Sequence, residues 1–325
     1  MSGRLDVDCT PELLGALIDD ASRLGCGTLV FELDLVPTPV PEEAGDKVPL
    51  LNVAENLQVF MVRQSGTFVR DVRAVCWVKS GSAEACAFVL TFPEIYMHPK
   101  GTIGGFECAA DRRSAHGKHG HSRVSHLYAA PIVGGYSPLL LEAMLLRDFP
   151  MSYAVGPEGV KFFDRRPALP GEQLLTEGLL TLDAPTALRL GVSKGTVSTL
   201  DELVAALDPE KKHALRVVRG RSEATLGEWT ARRDKAAAEV DELLGRMNKA
   251  EARDDRPERA GARAERRRLI EQLIEVYRSN RDVLPVGALR ERQLPTEQDL
   301  IDLYETIRIQ DRKLEQDVGP AGPRR

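Results

Sequence analysis

Between Val75 and Gly105 the chain reads VCWVKSGSAEACAFVLTFPEIYMHPKGTIGG, and its candidate chemistry lies in or just beyond this stretch. Ser82 stands in a small-residue turn between an apolar run and Ala83-Glu84-Ala85-Cys86. A serine there is placed to cap a helix, with Glu84 in the favourable first turn. Cys86, one turn further along an apolar face, reads as a buried thiol rather than a reactive thiolate. Lys100–Phe106, KGTIGGF, has the glycines of a phosphate loop but lacks the terminal Lys-Ser/Thr and a following helix. His116, His119, His121 and His126 follow, with Cys108 and Asp111 upstream. Their HxxHxH spacing is tolerable for a metal, yet their order and glycine content fit no ligand frame, and a polar loop is the better reading. No metal and no cofactor are expected.

These residues must be positioned by an α/β arrangement. Thr10-Pro11-Glu12 is a helix start with proline at the first helical position, continued by LLGALIDDASRL and ended at Gly25–Gly27. Thr28–Leu33 is a continuous apolar run, as in strands covered on both faces. Val36–Pro49 contains four prolines and reads as an exposed loop, Asn52–Gly66 as a helix, and Val72–Val78 as a second buried strand. The pattern then predicts a helix over Ser82–Phe92, a strand over Glu94–Met97 and a long loop over Glu107–Ser137. Leu139–Leu146 is a predicted helix, and Tyr153–Phe163 a hairpin around Gly156-Pro157-Glu158-Gly159. A further element starts at Leu179–Leu182. A helix from Pro185 to Leu190, a stop at Gly191, a short strand and a capped helix after Thr199 close the region.

After Pro209 the texture changes to charged helix. Thr225-x-x-Glu228 is a capping-box pattern, and Leu226, Trp229, Ala236, Val240, Leu243 and Met247 form one apolar stripe. Arg253–Ala264 reads as a break. A second helix carries Leu269, Leu273, Val276 and Tyr277, and a third starts at Thr296-x-x-Asp299 with Leu300, Leu303, Ile307 and Leu314 inward. The tail 319–325 is predicted to be disordered.

Composition narrows the function class. Residues 1–207 carry 18 basic and 25 acidic side chains, net −7, and residues 208–325 carry 26 and 24, net +2. Neither part has the excess of base of a nucleic-acid binder, and the Arg263–Arg268 run, interleaved with Glu and Ala, reads as a solvated helix face. No apolar run reaches the roughly 18–20 residues of a membrane span, and the start MSGRLDVD has no signal-peptide layout. A cytoplasmic location is expected. The five cysteines are odd in number, widely spaced and without a CxxC pair, which points to reduced thiols.

Three blocks resemble the Clp-class serine peptidases of the NfeD and SppA type, within the ClpP/crotonase superfamily. They are TLVFELD, WVKSGSAEACAFVLTFPEIYMHPKGTIG and LLTLDAPTALRLGVSKGTVSTLDEL, and the resemblance covers roughly residues 5–207. It implies a ClpP/crotonase-like ββα-type fold over 1–207, followed by a helical hairpin or coiled-coil extension over 208–318. The family's chemistry needs a serine hydroxyl at a helix N-terminus, a lysine amine as base and backbone N–H groups for the oxyanion. Counted back without gaps from Ile95, the nucleophile position falls on Ala83, beside Ser82. The glycine two residues further on is Ala85, and the glycine turn after the first strand is replaced by Leu35-Val36-Pro37-Thr38-Pro39. The family's lysine falls on Lys118.

The resemblance therefore implies a peptidase-like protein with a degenerate site, acting as a binding or assembly scaffold. The alternative is an active serine peptidase with a Ser82–Lys118 dyad. A third reading, a crotonase acting on an acyl-CoA, lacks the glycine-rich oxyanion segment. Partners implied are further copies of the chain, as a homo-oligomer, and a protein or peptide ligand.

Overall fold

Thr10 and Pro11 start the first helix as their types dictate. In the computed structural model, residues 2–3, 10–35, 72–80, 83, 85–107, 127–208, 217, 220–251, 259–284, 289 and 294–317 are described. Helix α1 (Pro11–Arg23) has Thr10 as its N-cap, the hydroxyl accepting from the Leu13 N–H at 3.3 Å, and turns Leu13, Leu14 and Ile18 inward. The chain divides into two compact units, Met1–Arg219 and Gly220–Arg325.

The first unit is mixed α/β. Strands β1 (Ser2–Gly3), β2 (Thr28–Leu35), β3 (Arg73–Val78), β4 (Glu94–Met97) and β10 (Gly195–Thr196) form a sheet in the order β1-β2-β3-β4-β10, every pair parallel. Alternate side chains of these strands face opposite ways. Phe31, Leu33, Cys76, Val78, Ile95 and Met97 enter the main core with α1 and with helices α2 (Cys86–Val89) and α4 (Pro138–Leu145). Val75, Trp77 and Tyr96 enter a second core with Leu203 and Leu207 of α6 (Leu200–Leu207). Burial on both faces explains why these strands read as unbroken apolar runs rather than alternating ones. Phe92 ties the main core together, its ring 4.9 Å from Phe31 and 5.2 Å, edge-on, from Phe88.

Arg73 secures the other end of the sheet. It donates two hydrogen bonds of 2.7 Å to the Glu94 carboxylate and one of 3.0 Å to the Leu207 carbonyl, joining β3, β4 and α6. The paired fork geometry is the strong form of this contact.

Among the described residues the unit also holds two antiparallel sheets. Strand β5 (Thr102–Gly104) pairs with β9 (Thr181–Asp183), which leads into α5 (Ala184–Arg189), capped by Asp183. Strand β6 (Met151–Gly156) lies between β7 (Gly159–Phe163) and β8 (Gln173–Thr176). The expected hairpin over Tyr153–Phe163 is therefore present, and Gly191 ends α5 with φ 72° as expected.

Several expectations need correction. The helix predicted over Ser82–Phe92 is one turn long, because Leu90 ends it and the Thr91 hydroxyl donates to the Phe88 carbonyl at 2.6 Å. Within the predicted loop over Glu107–Ser137 lies helix α3 (Ala129–Gly134), too short and too apolar to show periodicity, ended by Gly135 in the left-handed region. KGTIGGF, which has the glycines of a phosphate loop, contributes β5. The predicted loop over 36–49, helix over 52–66 and tail over 319–325 lie outside the described residues.

Among the described residues the second unit contains three long helices, α7 (Gly220–Glu251), α8 (Arg259–Ser279) and α9 (Glu297–Asp317), one for each of the three expected helical segments of the hairpin or coiled-coil extension. Ion pairs give their directions. Arg232 meets Asp282 and Arg266 meets Glu251, so α7 and α8 are antiparallel. Arg263 meets Asp311 and Arg278 meets Glu297, so α8 and α9 are too. Trp229, Ala236, Val240, Leu243 and Met247 of the expected stripe are buried, while Leu226 is exposed. The Thr225 box lies inside α7, which starts at Gly220, and α8 starts at Arg259, within the expected break. The Thr296 box is a true start: its hydroxyl accepts from the Asp299 N–H, and the Asp299 carboxylate accepts from the Thr296 N–H. Among the described residues no helix is long and apolar enough to cross a membrane.

Two expected outcomes follow from close contacts in the first unit. Gly104 has φ 96°, and a Cβ there would stand 2.5 Å from the Leu180 carbonyl oxygen and 2.6 Å from Met144 Cγ. Gly104→Ala should cost about 3 kcal/mol, read as a lower urea midpoint at unchanged slope. In the loop between β7 and β8, the Glu172 carboxylate accepts from Arg165 at 2.6 and 2.7 Å and from the Ala168 and Leu169 N–H groups at 2.7 and 3.2 Å. The Arg165 contact first, then the backbone donors, hold its pKa down to about 2. A depressed carboxylate stabilises the folded loop above its unfolded pKa of about 4.3 and loses that contribution as pH falls through the folded value. The Ala168 and Leu169 amide resonances should hold their positions from neutral pH to about 4.3 and collapse as pH falls towards about 2. Glu172→Gln should displace them already at neutral pH.

Candidate functional site

The chemistry-bearing residues collect where β2, β3 and β4 end. In a parallel sheet the carboxyl ends of the strands are where loops gather and ligands bind. The ladder continues past β3: the Lys79 N–H donates to the Leu33 carbonyl at 2.8 Å, and the His98 N–H donates to the Val78 carbonyl at 2.7 Å. Each strand end is thereby held to its neighbour.

Side chains add to this. The Ser80 hydroxyl donates to Asp34 Oδ1 at 2.6 Å, with the Leu35 carbonyl at 3.2 Å. Lys79 Nζ pairs with Glu32 Oε1 at 3.0 Å and lies 5.2 Å from the centre of the Trp77 ring. Trp77 is buried and donates from Nε1 to the Val197 carbonyl at 3.3 Å. His98 Nδ1 accepts from the Lys100 N–H at 3.1 Å, which places the proton of a neutral ring on Nε2. Gly101 lets this turn press onto the strand end, since a Cβ there would stand 2.6 Å from the Val78 carbonyl oxygen.

Past Ser80 the chain turns into α2. Ala83 is half-buried and packs against the main core. The Ala83 carbonyl accepts from the Cys86 N–H at 3.4 Å, and Ala85 is the N-cap of α2, with no side-chain hydrogen bond to the helix. Cys86 is therefore the first residue of the helix rather than one turn into it. Its side chain is buried, 1% exposed, in agreement with the expected packed thiol. Ser82 and Glu84, expected to cap and lead this helix, lie outside the described residues, and so does Lys118. His116, His119, His121, His126, Cys108 and Asp111 lie outside them as well. Among the described residues no group of His, Cys, Asp and Glu is arranged to hold a metal ion.

Two ionisable groups of the main core are held in their protonated forms. Burial pushes the Cys76 thiol well up, so it stays protonated. Tyr136, which follows α3, is pushed up chiefly by burial and next by the negative charge Cys76 would carry. Cys26, Cys76 and Cys86 are not disulfide-bonded.

What the described part can do chemically follows from these pairings. A methyl group at Ala83 has no lone pair to attack a carbonyl. The Ser80 proton is aimed at a carboxylate, which is a weak base, and the Lys79 amine is engaged by Glu32. The described strand ends thus present side chains already engaged with one another, Ser80 with Asp34 and Lys79 with Glu32. Sequence reasoning passed over Ser80, Lys79 and Glu32, since an Asp-ended strand and a Lys-Ser pair 45 residues downstream carry no recognisable spacing.

No protein-family model matches the chain, and no curated protein matches it. Among solved structures it is similar to a serine-to-alanine mutant of the 1510-N membrane-bound stomatin-specific protease. That likeness has TM-score 0.41 and 13% identity, covering 63% of this chain and 81% of that one. A lysine-to-alanine mutant of the same protease in complex with a substrate peptide gives TM-score 0.39 and 13% identity, covering 63% of this chain and 76% of that one. Likenesses of this size carry no inference about activity.

Proposed function

We propose that residues 1–207 are a ClpP/crotonase-like domain of the NfeD and SppA type whose nucleophile position has been lost, and that the protein acts as a binding or assembly scaffold. The observation that carries this reading is Ala83: the position assigned to the nucleophile holds a methyl group packed against the main core. The strand, turn, short helix and strand from Arg73 to Met97 supply the setting, with β3 and β4 adjacent and parallel. The ligand is a protein or peptide, further copies of the chain are the assembly partners, and the protein works in the cytoplasm without a cofactor.

The alternative is an active serine peptidase. In that reading Ser82 is the nucleophile and Lys118 the base, in a turn shifted by one residue.

A fluorophosphonate probe separates the two. The purified protein, with Ser82→Ala and Lys118→Ala beside it, is expected to remain unlabelled while its circular dichroism shows it folded. Labelling of the parent that is abolished in Ser82→Ala and falls at least about tenfold in Lys118→Ala would establish the dyad and remove the scaffold reading.

A further inference from the structure

Among the described residues of the helical unit, α9 meets α8 and the segment just past it through four ion pairs and only two fully buried apolar side chains of its own. Among the described residues α9 buries Leu300 and Ile307, whereas α7 buries Trp229, Ala236, Ala237, Val240, Leu243, Met247 and Ala250. At one end of α9 the Asp311 carboxylate is gripped by two arginines of α8, Arg263 at 3.4 Å and Arg267 at 3.2 Å. At the other, Glu297 is gripped by Arg278 at 2.8 Å and by Arg281, just past α8, at 3.1 Å. Between the two clamps the flank stays open as a furrow of about 310 Å³, lined by Glu271, Ile274, Glu275, Arg278 and Tyr304. A hydrogen bond of 2.9 Å from Tyr304 Oη to Glu271 crosses it. The Tyr277 hydroxyl adds one tether before α9, donating to the Pro295 carbonyl at 2.8 Å.

Parts of a fold with few buried apolar contacts open ahead of the rest, without global unfolding. Ion pairs weaken as salt is added, the screening length falling from about 10 Å at 0.1 M to about 3 Å at 1 M, while apolar packing does not weaken in this way. The Glu297 clamp, with its arginines 56% and 76% exposed, feels this more than the Asp311 clamp, with its arginines 11% and 35% exposed. We infer that α9 is a releasable strap: it opens as a unit while α7 and α8 stay paired, and ionic strength sets how often it does so. The two clamps act at opposite ends of one helix, so loosening both frees the whole element and not merely a frayed end. Opening uncovers the face of α8 on which α9 lies.

Hydrogen exchange of the full chain, read by mass spectrometry at 50 mM and 1 M NaCl, tests this. Peptides from residues 297–311 should exchange about tenfold faster at high salt, while those from 236–247 change less than about twofold. Glu297→Gln combined with Asp311→Asn should reproduce the fast exchange at 50 mM. Glu305→Gln should not, because its partner Arg308 lies on α9 itself, 3.0 Å away. Circular dichroism of both variants verifies that each is folded. Equal protection of α9 and α7 with no response to salt would overturn the inference, and so would salt loosening all three helices together.

Discussion

Strand β3 has no side that faces water. Val75, Cys76, Trp77 and Val78 are at most 2% exposed, and the layout of the first unit follows from covering both of their faces. One face requires α1, α2 and α4, and the other requires α6, drawn from the far end of the unit. A strand so placed must pair its backbone on both edges, because an unpaired buried N–H or carbonyl costs as much as a lost hydrogen bond. β2 and β4 supply those pairs. With all three strands parallel, each must be left at its carboxyl end and re-entered at the opposite end. The turn carrying Ser80 and Ala83 therefore lies on the sheet rim as a result of connectivity, whatever chemistry it retains.

How legible this was depended on the kind of signal. Caps and breakers were read correctly where they act locally: Thr10 with Pro11, Thr199, Gly191 and the Thr296 box all act within one helical turn. Continuous apolar runs located β2, β3 and β4, since burial on both faces leaves that trace. Short elements were lost. The three-residue β5 exists because Thr181–Asp183 pairs with it, and nothing in KGTIGGF announces a partner so distant in the chain. The box at Thr225 misled because the same residue types are tolerated inside a long helix, where packing of Trp229 and Val240 decides the outcome. At the candidate site, Ala83 was placed by counting, whereas the Ser80 to Asp34 and Lys79 to Glu32 contacts depend on strand register, which sequence does not state.

The two units solve the stability problem differently. In the first, aromatic and aliphatic side chains fill a core with few buried polar atoms, and its arginines serve at the edges, as Arg73 and Arg165 do. In the second, the apolar stripe is narrow and arginine forks bridge neighbouring helices. The Arg263–Arg268 run, read from sequence as a solvated face, is in part buried, with Arg266 6% exposed, and its arginines reach carboxylates on both neighbouring helices. Paired carboxylates and guanidinium groups have directional geometry, so they specify register where leucines alone would permit sliding.

Arg73 reaches from β3 to the carbonyl of Leu207, a residue 134 positions further along. β10, likewise, joins the sheet beside β4 after nearly a hundred intervening residues. Contacts of such span cannot form until the chain between them has been made and gathered, and the entropy of closing that loop comes before any reward from the contact. During synthesis, β4 must therefore wait with an open edge, and the second face of β3 stays wet until α6 arrives. The first unit should fold slowly for its size, and its most exposed moment is the interval before its last forty residues leave the ribosome, about two to eight seconds at ordinary elongation rates.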